Sequence, residues 1–373
     1  MIWWVATAVL VLAYANGAND AFKGVATLLG SGVSDYRRAL LWGIATTFAG
    51  AMAALFIAEG LLATFSGAGL VDPAVATSPA FALAVAGGAA GTVLLAARLG
   101  MPISTTHALV GALVGAALAS RSGIHWNGLW QGMVAPLLFS PLAALALTLA
   151  AYPLLHRARQ RLGVARNTCV CIGNEVVGRF AEGTSNSHAL TATTLPAVTL
   201  GTQPSCRQAY AGAVVGIEAG NAIDRLHYLS AGAVGFARGV NDAPKIAALL
   251  LLAPAFGAAG GILLVAAAMA VGGLLGAARV AHTMAHRITP MNAGQGLIAN
   301  LVTAFLVIFA SRFGLPVSTT QVSVGALFGI GATTGSARKD TITAILLSWV
   351  ATLPLAAALS ALVWFLLRAW GNA

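Results

Sequence analysis

A chain of 373 residues with 58% hydrophobic and only 8% charged residues carries too little polar surface for a soluble globular domain. Its formal net charge of +10 would suggest a nucleic-acid partner in a soluble protein. In this apolar setting it reads instead as the basic loops of a polytopic membrane protein.

Apolar stretches long enough to cross roughly 30 Å of hydrocarbon, about 20 residues each, lie near 39–62, 79–99, 128–155, 228–253, 255–280, 296–313 and 341–370. The opening segment, MIWWVATAVLVLAYA, mimics a cleavage site at Ala13-Tyr14-Ala15 but has no basic leader. We read it as the first span. It runs into Asn19-Asp20-Ala21-Phe22-Lys23, where Gly17, Gly24, Gly30 and Gly32 predict a helix that unwinds locally. Asp20 and Lys23 at i,i+3, with Asn19 and Lys23 at i,i+4, share one helix face. Ionisable groups inside a span read as functional by default; the bland alternative is a buried pair that pins two helices. Small and turn-forming residues over 63–78 predict a surface loop.

Residues 102–106, Pro-Ile-Ser-Thr-Thr, read as a helix start, with Pro in the first turn and Ser104, Thr105 or Thr106 capping free N–H groups. The segment after it, HALVGALVGAALA, is too short to span comfortably and predicts a re-entrant half-helix. Its N-terminus presents N–H donors, hydroxyls and partial positive charge, a ready anion site. Gly111 and Gly115 would let it pack closely. An ordinary cap without a ligand is the competing reading.

Residues 156–207 form a polar, Gly/Ser/Thr-rich connector that is either a small hairpin or partly disordered. Arg157, Arg159, Arg161 and Arg166 assign it to the cytoplasmic side. Cys169, Cys171 and Cys206 could bind a metal or form a disulfide, but their spacing matches no zinc pattern. The expectation is a reduced loop without metal.

The second half repeats the first. Residues 15–26 and 237–248 are identical at seven of twelve positions, with a constant offset of 222. Residues 97–115 and 311–329 are identical at eleven of nineteen, with an offset of 214. Two motifs in the same order at nearly equal spacing establish an internal duplication. The domains are therefore 1–155 (first repeat), 156–207 (connector) and 208–373 (second repeat). The second copy supplies Asn241, Asp242, Lys245, Ser318, Thr319 and Thr320. Gln295 and Asn300 are expected to make interhelical hydrogen bonds.

Asn-Asp helices paired with Pro-[Ile/Val]-Ser-Thr-Thr hairpins, twice per chain, resemble the inorganic phosphate transporter family. The resemblance rests on GAND at 17–20, GSG at 30–32, PISTTH at 102–107, GVND with Lys245 at 239–245, and PVSTT at 316–320. It implies an all-α polytopic membrane protein with inverted-topology repeats, broken helices, re-entrant hairpins and about 10–12 membrane segments. It also implies cation-coupled phosphate uptake at a site between the repeats, and a homodimer. Carried over by position, Asn19, Asp20, Ser104, Thr105, Thr106, Asn241, Asp242, Ser318, Thr319 and Thr320 would contact phosphate and coupling cations. Asp20 and Asp242 are the expected cation ligands. The coupling ion is sodium or a proton, with no other cofactor.

Four positions depart from the family pattern: Lys23 replaces a usual Asn, Arg238 and Gln321 replace usual His residues, and Asn300 stands where an acid is common. Asp20, Asp242 and Lys245 alone sum to one net negative charge; adding Lys23 brings the formal sum to zero. Lys23 and Lys245 are therefore expected to balance or bind charge, Lys23 in place of one coupling cation. Within this class sulfate or another small oxyanion is the alternative substrate, and an anion channel is the alternative mechanism. An enzyme is not expected: no H-E-x-x-H occurs, and His107 beside Ser104 has Gln321 as its duplicate. The compact length suggests a bacterial inner membrane.

Overall fold

The structure, a computed structural model, describes residues 1–65, 69–180, 190–251 and 257–371. Two compact units divide the chain: residues 1–152 with 227–373, and residues 153–226. Residues 66–68 of the expected surface loop and 181–189 of the connector lie outside the described residues.

The larger unit is helical. Helix α1 (Ile2–Asp20) stops at the first Asn-Asp motif and α2 (Ala26–Gly30) resumes after it. Between them Lys23 N–H bonds Asp20 O and Val25 N–H bonds Phe22 O, so the chain unwinds into tight three-residue turns. Helix α3 (Tyr36–Ile57) starts at Asp35, whose carboxylate accepts from Arg38 N–H. Short helices α4 (Glu59–Phe65) and α5 (Pro73–Ala76) lead to α6 (Pro79–Leu99) and the half-length α7 (Thr105–Ala119). Helix α8 (Trp126–Leu129) runs through a π-helical turn into α9 (Ala135–Arg161). After the second unit come α11 (Ala219–Ala247), α12 (Gly257–Gly276), α13 (Ala278–His282), α14 (Ala293–Arg312), the half-length α15 (Thr319–Thr334) and α16 (Lys339–Ala369). Among the described residues, seven helical stretches are long and apolar enough to cross a membrane.

The duplicated hairpins have matching tips. Gly100 ends α6 with φ 71°, and Gly314, after α14, has φ 65°. Only glycine adopts this left-handed turn without strain. Each half-helix then packs on a helix of the opposite half. A Cβ on Gly111 or Gly115 of α7 would run into the backbone of Leu353 or Ala357 of α16. On Gly325 of α15 it would meet the Pro141 carbonyl of α9 at 2.6 Å. These glycines set the depth to which the hairpins insert.

The second copy of the motif departs from expectation. Asn241 and Asp242 remain inside α11, which continues through Pro244 and passes into a 3-10 turn at Ala248–Leu250. In the first copy Gly24 follows Lys23; in the second, Ile246 and Ala247 follow Lys245 and sustain the helix.

The smaller unit adds a sheet to an otherwise helical chain. It holds an antiparallel sheet of β1 (Thr168–Phe180), β2 (Leu190–Thr202) and β3 (Tyr210–Glu218), in the order β2-β1-β3, with helix α10 (Gln203–Ala209) before the last strand. Along β1, Cys169 and Cys171 point inward while Val170 and Ile172 face out, the period of two that a strand imposes. Cys206 of α10 meets Cys171 in a disulfide, with Cys169 buried beside it as a thiol. The expected reduced loop is thus a cross-linked sheet, and the disulfide removes two of the three thiols a metal would need.

Candidate functional site

The charged side chains of both motifs meet in one buried network of the larger unit, at the N-termini of α7 and α15. Asp20, Lys23, Arg238, Asp242 and Lys245 are each at most 4% exposed. Burying five charges is tolerable only if they compensate one another and are hydrogen-bonded.

Lys23 folds back over the last turn of α1. Its Nζ pairs with Asp20 Oδ1 and donates to Asn19 Oδ1 at 2.7 Å, Ile103 O at 2.5 Å and Thr320 Oγ1 at 2.6 Å. The duplicate follows the same plan. Lys245 Nζ donates to Thr106 Oγ1 at 3.0 Å and Val317 O at 2.7 Å, and lies 4.0 Å from Asp242 Oδ1. Ile103 and Val317 are equivalent by the offset of 214, as are Thr106 and Thr320. Each lysine thus holds a carbonyl of its own half and a threonine of the other.

Between the carboxylates lie two residues that motif reading had not placed in the site. Asn16 Nδ2 donates to Asp20 Oδ2 at 3.1 Å, Thr105 Oγ1 at 3.0 Å and Asp242 Oδ2 at 3.4 Å. Arg238 donates to Asn16 Oδ1 at 2.6 Å and Thr47 Oγ1 at 3.3 Å, and its Nε lies 3.6 Å from Asp242 Oδ2. That buried Nε makes no hydrogen bond among the described residues. Asn16 and Arg238 are duplicates at the offset of 222, each four residues before its Asp. The i,i+4 spacing was the signal that could have found them. With Arg238 included, two carboxylates face three cations, so the formal sum is +1 rather than zero.

The remaining candidates divide by role. Thr105 Oγ1 donates to Asp20 Oδ2 at 3.3 Å, and Thr319 Oγ1 lies 3.4 Å from Asp242 Oδ1. Asn19 anchors the first hairpin through Met101 O at 2.9 Å, and Asn241 the second through Val317 O at 3.0 Å. Ser104 and Ser318 serve as helix caps, accepting from His107 N–H and Gln321 N–H. For Ser104→Ala we therefore expect a loss of about 1 kcal/mol in stability, read as a lower thermal midpoint, with substrate affinity changed less than about threefold. The hairpins touch at equivalent positions, His107 Nε2 to Gln321 Nε2 at 3.3 Å. Asn300 lies outside the network and bonds Thr27 and Ser230; Gln295 caps α14 and reaches Tyr152. Both make the interhelical bonds expected of them.

This arrangement, two helix N-termini, four threonine hydroxyls and an arginine with a spare donor, suits a small oxyanion. A sequence model described as the phosphate transporter family matches residues 16–360. The chain is similar to a probable low-affinity inorganic phosphate transporter of Rhizobium meliloti, 28% identical over 94% of this chain and 92% of that one. A protein of the same description from Mycobacterium bovis is 26% identical over 99% of this chain and 78% of that one. Among solved structures, a sodium-dependent phosphate transporter superposes with a TM-score of 0.74 at 19% identity, covering 99% of both chains. That likeness extends the shared fold across both halves. The chain is an integral multi-pass membrane protein and belongs to the phosphate transporter family.

Proposed function

We propose that this protein is a secondary transporter that carries inorganic phosphate across the membrane, coupled to a cation gradient. The observation that carries the reading is the meeting of two half-helix N-termini at one buried network of formal charge +1, into which Arg238 turns an unused N–H. Such a site favours a tetrahedral anion, which accepts from hydroxyls and first-turn N–H groups together. Hydrogen phosphate can also donate its proton to Asp20 or Asp242, which sulfate cannot do.

Coupling follows from electrostatics. A dianion entering an inside-negative compartment alone works against about 4.6 kcal/mol per 100 mV, at about 2.3 per elementary charge. A cation, sodium or proton, must travel with it. The duplicated halves support inverted repeats that rock about the site, exposing it to each side in turn. A homodimer in a bacterial inner membrane completes the reading.

The test is uptake of labelled phosphate into proteoliposomes under an imposed cation gradient, with sulfate as competitor. Accumulation against a gradient that phosphate blocks and sulfate does not is the expected result. Blockade by sulfate would make the protein a permease for a different oxyanion, and equilibration without accumulation would make it a channel.

A further inference from the structure

Three sulfur atoms meet in the smaller unit, where a disulfide needs only two. Cys171 of β1 and Cys206 of α10 are bonded, and Cys169 is buried beside them as a thiol. The three Sγ atoms all lie within 4.8 Å of one another, near the roughly 3.8 Å separation of ligands that each stand about 2.3 Å from one ion. The strands on either side carry glycine where the cysteines need room. Across the ladder Cys169 pairs with Gly201 of β2, and Cys171 with Gly216 of β3. A Cβ on Gly216 would stand 2.8 Å from Cys169 Sγ, too close to be tolerated, and one on Gly201 would touch Cys206 Sγ at 3.5 Å. A staple between β1 and α10 accounts for Cys171 and Cys206. It does not account for a third inward sulfur with a glycine opposite it.

We infer that the smaller unit, once its disulfide is reduced, is a binding site for copper(I), held by Cys169, Cys171 and Cys206. Thiolate sulfur selects soft cations. Zinc in a closed site takes four ligands, and among the described residues no histidine or carboxylate joins the three sulfurs. Each cysteine is at most 3% exposed, which keeps water from supplying a fourth ligand. A monovalent soft ion is satisfied by three. Reduction needs two equivalents of a small thiol of the glutathione class: they pass two electrons and two protons to the Cys171–Cys206 bond and leave as their own disulfide. The basic run Arg157, Arg159, Arg161 and Arg166 assigns the unit to the cytoplasmic side, where such thiols keep cysteines reduced. Copper(I) then displaces thiol protons as the copper–sulfur bonds form. Disulfide and metal exclude each other, so occupancy follows the thiol balance around the unit. The inference stands apart from the phosphate reading, which involves none of these residues.

The test uses the full chain in detergent, reduced with a phosphine, with copper(I) presented as its bathocuproine complex. The reduced wild-type protein is expected to take one copper(I) per chain from the chelator, and the disulfide form none. Bound copper should shield all three cysteines from alkylation, read by mass as three labels lost, a count that requires no variant to fold. Cys169→Ser leaves Cys171 and Cys206 free to form their bond, so a purely structural pair would be untouched. Its copper affinity is nevertheless expected to fall at least about 100-fold, the upper end of what losing even an outer-shell partner costs. No uptake by the reduced wild-type protein, uptake by the disulfide form, or full affinity in Cys169→Ser overturns the site. One zinc(II) per chain that copper(I) fails to displace overturns the assignment of the ion.

Discussion

Asp242→Asn is expected to abolish phosphate accumulation while making phosphate a stronger stabiliser of the protein. The carboxylate faces Arg238, Lys245, Asn16, Asn241 and Thr319. Neutralising it leaves two buried cations without their acid and moves the formal charge of the network from +1 to +2. Removing one partner of a buried pair costs about 3–5 kcal/mol, which at about 1.4 kcal/mol per decade is at least about 100-fold. In the empty protein that penalty appears as a lower thermal midpoint. An oxyanion restores the missing charge, so added phosphate should raise the midpoint more than in wild type. The same gain in the bound state slows release, and turnover stops. Thermal shifts with and without phosphate, beside uptake, check both halves of the expectation. Phosphate stabilising the variant less than wild type would count against an anion at this position.

Arg238→Lys should preserve the charge and lose the affinity. The guanidinium reaches Asn16 and Thr47 while keeping Nε unused. A lysine cannot reproduce that fork, because its ammonium presents a single point of charge. A hydrogen bond to a charged group contributes about 1.5–3 kcal/mol, so half-saturating phosphate should rise about 10- to 150-fold. The dependence on the proton gradient should stay as it was, since no charge has changed. Measuring uptake rates across phosphate concentrations at two imposed gradients separates the two effects. A variant with unchanged half-saturation would remove Arg238 from the binding machinery.

The duplication made much of this fold legible. Chemistry repeated at fixed offsets identified the residues that converge on the buried network, and the Pro-Ser-Thr-Thr starts gave the half-helices whose N-termini meet there. Arg238 was legible as a departure from a family pattern but not as a member of the site. A substitution considered singly shows the residue lost, whereas its i−4 relation to Asp242 and its duplicate Asn16 show where the new charge goes. The intact second helix was hidden because the repeat carries the first copy's glycine-rich break over to it. What decides the matter is the residue after the lysine, glycine in one copy and isoleucine in the other. The sheet of the connector was obscured for another reason. Alternation is clear only over Cys169–Ile172, and the pairing of β1 with β2 and β3 is non-local.

On the carrier mechanism proposed above, the crossed grip of the lysines would hold the empty protein shut. Lys23 of the first half holds Thr320 of the second, and Lys245 of the second half holds Thr106 of the first. Any motion that parts the two halves at these lysines must break both bonds. At about 1.5–3 kcal/mol each for a charged donor, the two together amount to about 3–6 kcal/mol. That keeps an unloaded molecule open about once in 10² to 10⁴ visits. On that mechanism the pair would act as a double latch against ion leak, released when an incoming anion competes for the same threonines.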